Sequence, residues 1–350
     1  MKNHELVKKA HSFLSALKKR DKVAVIHHTD ADGVCSGVLA ARAVENFREK
    51  KVDFSFCQND GETSITKETV KILREKGINK VVITDLAVDE TPATIRALEE
   101  FADILIIDHH LKQKDLSSEK TTVIKAEDVS GIEPSQYPAS KLTYDIFFEI
   151  LGERPAWITA VGIIGDYAGK TWTDFIESVE KSGVQLKDLK DAEALIAYAR
   201  AAAGTEGVQK AFEVFYPAIN VKDVLKSELS EYKQDVEKEL HYHIAEHIDK
   251  AMFVDDIILY EFESKYNIKS RLSNRLSQEI YPNKTVLVLQ KGKERVDISA
   301  RRQDMKKSMA YLVRSAVSGI PKSLGGGHTP AAGGYFPIKY LEKVKKKLIS

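Results

Sequence analysis

Acidic and histidine side chains recur in the first half of the sequence, directly after apolar and β-rich runs. One run leads into a His-Thr-Asp-Ala-Asp-Gly segment, a second ends in a single Asp, and a third ends in Asp-His-His. A Gly-Asp pair follows a later apolar stretch. The side chains concerned are His28, Asp30, Asp32, Asp85, Asp108, His109, His110 and Asp166.

These residue types point to metal-assisted chemistry. Several carboxylates gathered in one place repel one another and raise each other's pKa unless cations neutralise them. Mixed histidine and carboxylate ligands suit Mn²⁺ or a similar first-row ion, whereas Mg²⁺ prefers oxygen ligands alone. A set of this size is large enough for two ions that share a bridging carboxylate. The pattern therefore predicts a two-metal hydrolase that acts at a phosphorus centre.

A parallel β-sheet is the element that can bring these side chains together. Short apolar runs alternate with helical patterns, which is typical of βαβ units and of a sheet covered on both faces. Ligands bind at the carboxyl edge of such a sheet, and three predicted strands deliver Asp or His to that edge. The predicted strands are 22–28, 52–57, 80–85, 104–108 and 122–125. The predicted helices are 33–49, 65–76, 91–101, 139–151 and 155–164.

Each motif taken alone has a simpler interpretation. A single Asp at a strand end, such as Asp30 or Asp85, is usually a turn former or a helix N-cap. Recurrence at three successive strands favours a site instead. His27 is assigned to the protein interior because strand alternation points it away from His28. A later histidine cluster lacks a neighbouring acidic motif and is assigned to an exposed charged helix. Its members are His241, His243 and His247.

The second half of the chain changes pattern twice. Residues 186–250 are nearly all helical in pattern, and strands are expected at 255–261, 285–289 and 295–300. A helix at 305–318 and a glycine-dense turn follow. We therefore predict three segments: a catalytic α/β domain at 1–185, a helical cap and connecting helix at 186–250, and a smaller α/β substrate-binding domain at 251–350.

The charge of the chain is unevenly distributed. The 53 Lys and Arg residues almost balance the 52 Asp and Glu residues, for a net charge of +1. From Lys265 to the end, thirteen Lys and six Arg face five acidic residues, a net charge of +14 that leaves −13 for residues 1–264. A basic C-terminal module of this kind can attract a polyanionic substrate.

The number of cysteines and the lengths of the apolar runs indicate the cellular environment in which the protein works. Cys35 and Cys57 are too few for a disulfide framework or a zinc ribbon, so we expect a reducing, cytoplasmic environment. No apolar run approaches the roughly 18 to 20 residues that cross a bilayer. We therefore expect no membrane partner.

Two motifs in the basic module could hold a phosphate. A predicted strand ends with Ser299 and Arg301, and the segment 325–334 is rich in glycine. Successive backbone N–H groups of a glycine-rich turn can wrap a phosphate, and an arginine can bind it through two hydrogen bonds. The alternative is a flexible linker. The small residues after His328 favour a packed turn followed by the start of a helix.

Together these motifs resemble the DHH phosphoesterases, and specifically the DHH plus DHHA1 proteins that include RecJ-like exonucleases and the oligoribonucleases called nanoRNases. The resemblance covers nearly the whole chain. It rests on His-x-Asp-x-Asp-Gly at 28–33, Asp85, Asp-His-His at 108–110, Gly-Asp at 165–166 and Gly-Gly-Gly-His at 325–328. It implies a parallel-sheet DHH catalytic domain joined by a helical linker to a smaller α/β DHHA1 domain.

The resemblance also implies a role for each motif residue. One Mn²⁺ would be held by His28 and Asp30 and the other by Asp32, His109 and Asp166, with Asp85 bridging them and with Mg²⁺ or Co²⁺ as substitutes. Asp108 would orient a neighbouring imidazole, and His110 would face the scissile phosphate. The implied clamp for the terminal nucleotide consists of Ser299, Arg301, Gly326, Gly327 and His328.

The activity implied is Mn²⁺-dependent, exonucleolytic hydrolysis of short single-stranded RNA or DNA to mononucleotides. A phosphodiesterase or phosphatase for small nucleotides remains an alternative, with linear or cyclic dinucleotides or 3′-phosphoadenosine 5′-phosphate as substrates. A non-catalytic replisome scaffold is the alternative from another class. The motifs leave cleavage polarity, sugar preference and a homodimeric state open.

Overall fold

The computed structural model describes residues 3–58 and 64–349. The chain divides into two compact units, Met1–Lys233 and Gln234–Ser350. Among the helices of the described ranges, none combines the length and the hydropathy that a membrane span requires.

The first unit is built on a five-stranded parallel sheet in the order β2-β1-β3-β4-β5. Its strands are β1 (Val23–His27), β2 (Phe54–Cys57), β3 (Lys80–Thr84), β4 (Asp103–Asp108) and β5 (Thr121–Lys125). All five strands predicted from the sequence are therefore present, with ends that differ by no more than two residues. Because every pairing is parallel, the carboxyl ends of all five strands lie along one edge.

Helices cover both faces of this sheet. Side chains of β1 alternate between two cores: Val23 and Val25 pack into one, and Ala24 and Ile26 into the other. The helices are α1 (His4–Ser15), α2 (Ala31–Arg48), α3 (Lys67–Glu75), α4 (Pro92–Glu99), α5 (Ala126–Val129), α6 (Ala139–Ile146), α7 (Phe148–Leu151), α8 (Ala156–Gly165), α9 (Thr173–Lys181), α10 (Leu186–Phe215) and α11 (Val221–Leu225). Short 3₁₀ turns lie at Val88–Glu90 and Pro134–Gln136.

The predicted helical stretch from residue 186 is interrupted. Helix α10 kinks at Gly204, whose backbone has φ 56° and ψ −134°. This left-handed φ is one that glycine adopts without steric cost. After α11, helix α12 (Leu229–Lys250) contains the boundary between the two units.

The second unit contains a mixed six-stranded sheet in the order β10-β11-β9-β8-β7-β6. Only β7 and β8 pair in parallel. The strands are β6 (Met252–Val254), β7 (Ile257–Glu263), β8 (Thr285–Lys291), β9 (Arg295–Arg301), β10 (Leu324–Gly327) and β11 (Ala331–Pro337). The helices are α13 (Lys269–Arg275), α14 (Met309–Val317) and α15 (Leu341–Ile349), with a π-helical turn at Leu276–Ile280 and a 3₁₀ turn at Ile338–Tyr340.

The glycine-dense segment differs from the prediction. It forms an antiparallel hairpin, β10–β11, and the expected helix start after His328 is wrong because residues 331–337 pair along their whole length with β9. The small side chains permit close approach between strands. A Cβ added at Gly334 would lie 2.5 Å from the carbonyl oxygen of Leu324.

The histidine cluster on α12 is also more buried than predicted. His241 is exposed as expected, but His243 and His247 are 3% and 1% exposed. The Nδ1 of His243 lies 2.8 Å from the Tyr260 hydroxyl on β7, and the Nε2 of His247 lies 3.0 Å from the Tyr281 hydroxyl. These two residues are packed interior histidines rather than part of a solvated face.

Candidate metal centre

The segment after β1 brings the first three candidate ligands to the sheet edge. Helix α2 begins immediately, with Asp30 as its N-cap: the Gly33 N–H donates to Asp30 Oδ1 at 2.9 Å. The second oxygen of Asp30 lies 2.9 Å from the Nδ1 of His28. The turn needs glycine at position 33, because a Cβ there would lie 2.6 Å from the His28 backbone. Asp30 is therefore both a cap and a candidate ligand.

Asp32 is held by the start of another helix. The backbone N–H groups of Ala139 and Ser140, at the beginning of α6, donate to its two oxygens at 2.6 and 3.0 Å. Asp32 is 1% exposed. Burial, followed by repulsion from the carboxylates of Asp85 and Asp166, raises the pKa of Asp32 well above its usual range.

Asp85 lies at the centre of the cluster. It follows β3 directly, is 2% exposed, and has a left-handed backbone with φ 58°, which Asp tolerates better than most residues. Three imidazoles surround its carboxylate. Asp85 Oδ2 is 3.6 Å from His28 Nδ1, and Asp85 Oδ1 is 3.2 Å from His109 Nε2 and 4.0 Å from His110 Nδ1.

Asp166 completes the other side of the cluster at the end of α8. Its Oδ2 lies 3.5 Å from His109 Nδ1. Burial raises the pKa of Asp166 to about 6, with nearby His109 opposing the shift and Asp85 reinforcing it. Helix α8 approaches closely because Gly162 has no side chain: a Cβ there would lie 2.2 Å from Ser140 Oγ and 2.9 Å from Asp32 Oδ1.

The Asp-His-His motif divides its three side chains between different environments. Asp108 is fully buried and accepts hydrogen bonds from His110, from Nδ1 at 2.7 Å and from the backbone N–H at 3.2 Å. Its other oxygen accepts from Lys125 Nζ at 2.5 Å. These contacts outweigh burial and hold the pKa of Asp108 well below its usual range. The arrangement leaves His109 among the candidate ligands and makes Asp108 a support for His110.

The electrostatics of the cluster favour bound cations. Burial alone would lower the pKa of His28, but hydrogen bonding and attraction to Asp30 and Asp85 raise it to about 10. Burial likewise opposes the shift at His109, where Asp85, Asp32 and Asp166 raise the pKa to about 11. Without a metal, the carboxylates thus recruit protons onto the imidazoles as substitute positive charge.

Unsatisfied atoms show that the residues fit divalent metal ions. Within the described residues, His28 Nδ1, Asp85 Oδ1 and Asp166 Oδ2 are buried and make no well-aligned hydrogen bond. Such atoms are expected where a bound ion supplies the missing partner. Three groups have ligand atoms that all lie within 4.8 Å of one another. They are His28, Asp30 and Asp85; Asp85, His109 and His110; and Asp32, His109 and Asp166.

All six residues proposed as ligands from the sequence thus belong to these groups. The five residues of the proposed clamp lie in the second unit. Ser299 is 1% exposed, and its hydroxyl is 2.8 Å from that of Ser273. Arg301 Nε donates to Asn274 Oδ1 at 2.5 Å. Gly333 on β11 is the register partner of Gly326 on one side and of Ser299 on the other. Gly327 has φ 137°, and His328 is exposed.

Two supporting residues were not identified from the sequence. Lys125, at the end of β5, and Asp89, in the 3₁₀ turn after Asp85, are both 1% exposed and form an ion pair of 3.0 Å. Lys125 is the last residue of β5, Asp108 is the last residue of β4, and Asp85 directly follows β3. The same strand-end criterion, applied to lysine as well as to Asp and His, would have found it.

The part of the chain that carries most of the candidate ligands matches a known protein-family domain. Residues 22–163 match the model of the DHH family, N-terminal domain. Residues 22–163 therefore form a DHH-family N-terminal domain. The match begins one residue before β1 and ends within α8, so it includes every candidate ligand except Asp166. No curated protein sequence gives a significant match.

Solved structures share the DHH fold over almost the whole chain. A structure described as the DHH domain of a member of a ribosomal-protein family matches with a TM-score of 0.71 at 18% identity, covering 99% of this chain and 90% of that one. Manganese-bound exonuclease RecJ matches with a TM-score of 0.67 at 17% identity, covering 99% and 94%.

RecJ of Thermus thermophilus, in complex with Mn²⁺, matches with a TM-score of 0.68 at 15% identity. The match covers 99% of this chain but 54% of that one, so this chain corresponds to about half of that RecJ. These similarities establish the α/β fold, and the mixed sheet of the second unit fits the DHHA1 domain.

Proposed function

We propose that this protein is an Mn²⁺-dependent phosphodiesterase that hydrolyses short single-stranded RNA or DNA from an end and releases mononucleotides. The observation that carries the proposal is the position of Asp85 among three histidines, with a buried oxygen that makes no well-aligned hydrogen bond. A carboxylate in that place is suited to lie between two cations. Cys35 and Cys57 are both buried and form no disulfide bond, which suits a reducing compartment, and we propose a cytoplasmic location.

The proposed ligand sets follow the geometry of the cluster. His28 and Asp30 would hold one cation, and Asp32, His109 and Asp166 the other, with Asp85 shared. When bound, two divalent cations activate water and stabilise the charge that develops on the phosphoryl oxygens. The choice of manganese is supported by the mixture of imidazole and carboxylate donors.

The remaining side chains of the site have their own tasks. Asp108 accepts a hydrogen bond from the Nδ1–H of His110, which leaves the Nε2 of that imidazole to face the substrate. Held this way, His110 can donate a hydrogen bond to a phosphoryl oxygen as charge builds up there. Asp108 itself acts through His110 and does not contact the substrate.

We also propose that the DHHA1 unit binds the end of the substrate. Ser299 and Arg301 are two residues apart on β9 and therefore share one face of the sheet, and β11 connects that strand to Gly326 on β10. A hydroxyl, a guanidinium and exposed backbone N–H groups are the donors that hold terminal phosphates elsewhere. The clamp would include Gly327 and His328 at the turn of the hairpin.

The test is product analysis on 3′-phosphoadenosine 5′-phosphate and on 5′-labelled RNA and DNA oligonucleotides in a length series from dinucleotides upward, with metal-depleted protein to which Mn²⁺ is restored. Immediate release of labelled mononucleotide would indicate attack from the 5′ end, and a descending ladder attack from the 3′ end. Cleavage confined to dinucleotides or to 3′-phosphoadenosine 5′-phosphate would replace the exonuclease by a small-nucleotide phosphodiesterase. Failure to bind Mn²⁺ would instead support a scaffold.

A further inference from the structure

A buried lysine connects the chain segments that carry the central ligands. Lys125 is the last residue of β5 and is 1% exposed. Its Nζ donates to Asp108 Oδ2 at 2.5 Å and to Asp89 Oδ1 at 3.0 Å. Both carboxylates are buried, at 0% and 1% exposure. An ammonium held between two buried carboxylates is far more strongly coupled to its partners than an exposed pair would be.

These contacts join three segments rather than two. Lys125 is the register partner of Asp108 on the neighbouring strand β4. Asp89 lies in the turn that follows Asp85, and its Oδ2 accepts from the backbone N–H groups of Gln113 and Lys114 at 2.6 and 3.3 Å. The segment after Asp85, the end of β4 and the loop after His110 are thus all fixed around one ammonium group.

A second contact of Asp108 relates this network to the chemistry. The oxygen that does not bind Lys125 accepts from His110 Nδ1. Removing the ammonium would leave two buried carboxylates without a counter-charge, and Asp108 would be free to turn away from His110. That movement would disturb the imidazole that lies 4.0 Å from Asp85.

We propose that Lys125 is a positioning residue that keeps Asp85 and the His109–His110 segment aligned for binding divalent cations and for the reaction. It acts through Asp108 and Asp89 and does not contact the substrate. The catalytic part of this inference rests on the proposed phosphodiesterase function, whereas the cation-binding part does not.

The chain offers a matched control. Lys80 on β3 is the register partner of Asp103 on β4, and the two form an ion pair of 2.5 Å. This pair repeats the Lys125–Asp108 arrangement at the opposite end of the same strand β4, away from every candidate ligand. Lys80→Met therefore removes a lysine–carboxylate pair with the same register, although a more exposed one (13% and 44% against 2% and 0% for the two side chains), without touching the network around Lys125.

The experiment compares Lys125→Met with Lys80→Met in the full-length protein. Mn²⁺ titration calorimetry measures cation affinity, and kcat and KM are measured on bis(p-nitrophenyl) phosphate at saturating Mn²⁺. Changes in the partners of metal-binding residues typically cost 10- to 100-fold in affinity or activity. We expect Lys125→Met to weaken Mn²⁺ binding and to lower kcat by roughly 10- to 100-fold, with KM nearly unchanged, while Lys80→Met alters neither.

The outcomes separate the two proposals. If the wild-type protein binds Mn²⁺ but hydrolyses no phosphodiester, the proposed function fails, and calorimetry still tests Lys125. If Lys125→Met folds and binds Mn²⁺ as tightly as the wild type, the positioning role is wrong. Should Lys125→Met fail to fold, Lys125→Gln decides, since its neutral amide can still donate a hydrogen bond to Asp108: weakened Mn²⁺ binding supports the role of the ammonium group and unchanged binding refutes it.

Discussion

Asp85 has a left-handed backbone conformation, and three histidines surround its carboxylate. Its left-handed φ places a carboxylate directly at the end of a buried strand, within 4.0 Å of three histidine nitrogens. A β-branched residue could not adopt this conformation without strain, whereas Asn adopts it readily. Substitution by Asn therefore removes the charge while the backbone remains as it is.

We expect Asp85→Asn to reduce Mn²⁺-dependent hydrolysis by more than about 100-fold. Mutation of residues that only support a metal ligand already lowers metal affinity or activity by roughly 10- to 100-fold, and Asp85 is a proposed ligand itself. The fold should persist, since the chain keeps its backbone conformation. Steady-state kinetics and circular dichroism measure the two effects. Turnover close to that of the wild type would rule out a bridging role for this carboxylate.

The protonated histidines give a pH dependence with a defined sign. The pKa values of His28 and His109 are raised from 6.5 to about 10 and about 11 in the metal-free protein. A raised pKa contributes stability that is fully present below pH 6.5 and is lost as the pH rises through the folded-state value. Chelator-treated protein should therefore melt at lower temperature as the pH is raised from 6.5 towards 10.

Cation binding should be coupled to the protonation of the same two histidines. Metal-bound imidazole is neutral, so Mn²⁺ must displace the protons of His28 and His109. We expect proton release on binding at pH 7 and an affinity that increases with pH. Calorimetry in two buffers of different ionisation enthalpy measures the release. Equal binding heats in the two buffers would mean that these histidines are not ligands.

At the scale of elements, close helix packing shapes the cluster. Helix α8 meets α6 and Asp32 at Gly162, where no side chain fits. We expect Gly162→Ala to destabilise the protein by about 1 to 3 kcal/mol, as overpacked cores do, and to weaken Mn²⁺ binding by displacing Asp32. Thermal unfolding and Mn²⁺ titration provide the measurements.

Gly169→Ala is the matched control for this substitution. A Cβ at Gly169 would meet only the side chain of Ile176, at an ordinary 3.6 Å. The control should leave both stability and Mn²⁺ affinity close to those of the wild type. Equal behaviour of the two variants would show that close packing at Gly162 has no role in shaping the site.

The sequence predicted the sheet edge because its signals are local. The three central strands β1, β3 and β4 consist mainly of apolar residues, and the residue type at or directly after the end of each is visible in the sequence. The hairpin at Gly325–Gly334 was not predicted because β11 is specified by pairing with β9, whose partner residues lie 30 to 42 positions earlier in the chain. The burial of His243 likewise depends on Tyr260 across a turn and a strand.

At the scale of the whole molecule, the structure revises the charge distribution. The second unit begins at Gln234 and holds fifteen Lys and six Arg against fourteen acidic residues, a net charge of +7, compared with +14 when the count starts at Lys265. Part of that charge is engaged internally, for example in the pairs Arg302–Asp256 and Lys345–Glu261. This favours a local clamp over a long basic track.

The salt dependence of substrate binding should reflect a local clamp. Each phosphate contact on a single strand contributes about −0.7 to the slope of log affinity against log salt. A clamp for two or three phosphates predicts a slope of about −1.5 to −2. Fluorescence anisotropy with a labelled oligonucleotide and inactive Asp85→Asn measures it. A slope steeper than about −4 would indicate a long binding track.

The parallel sheet also determines when the metal centre can exist during folding. Its candidate ligands extend from His28 to Asp166, and they converge only after β1, β3 and β4 have paired through long crossover connections. Such non-local pairing is slow, because loop closure precedes any favourable contact. Cations that need the finished edge therefore arrive after the rate-limiting step, and their binding retards unfolding without accelerating folding.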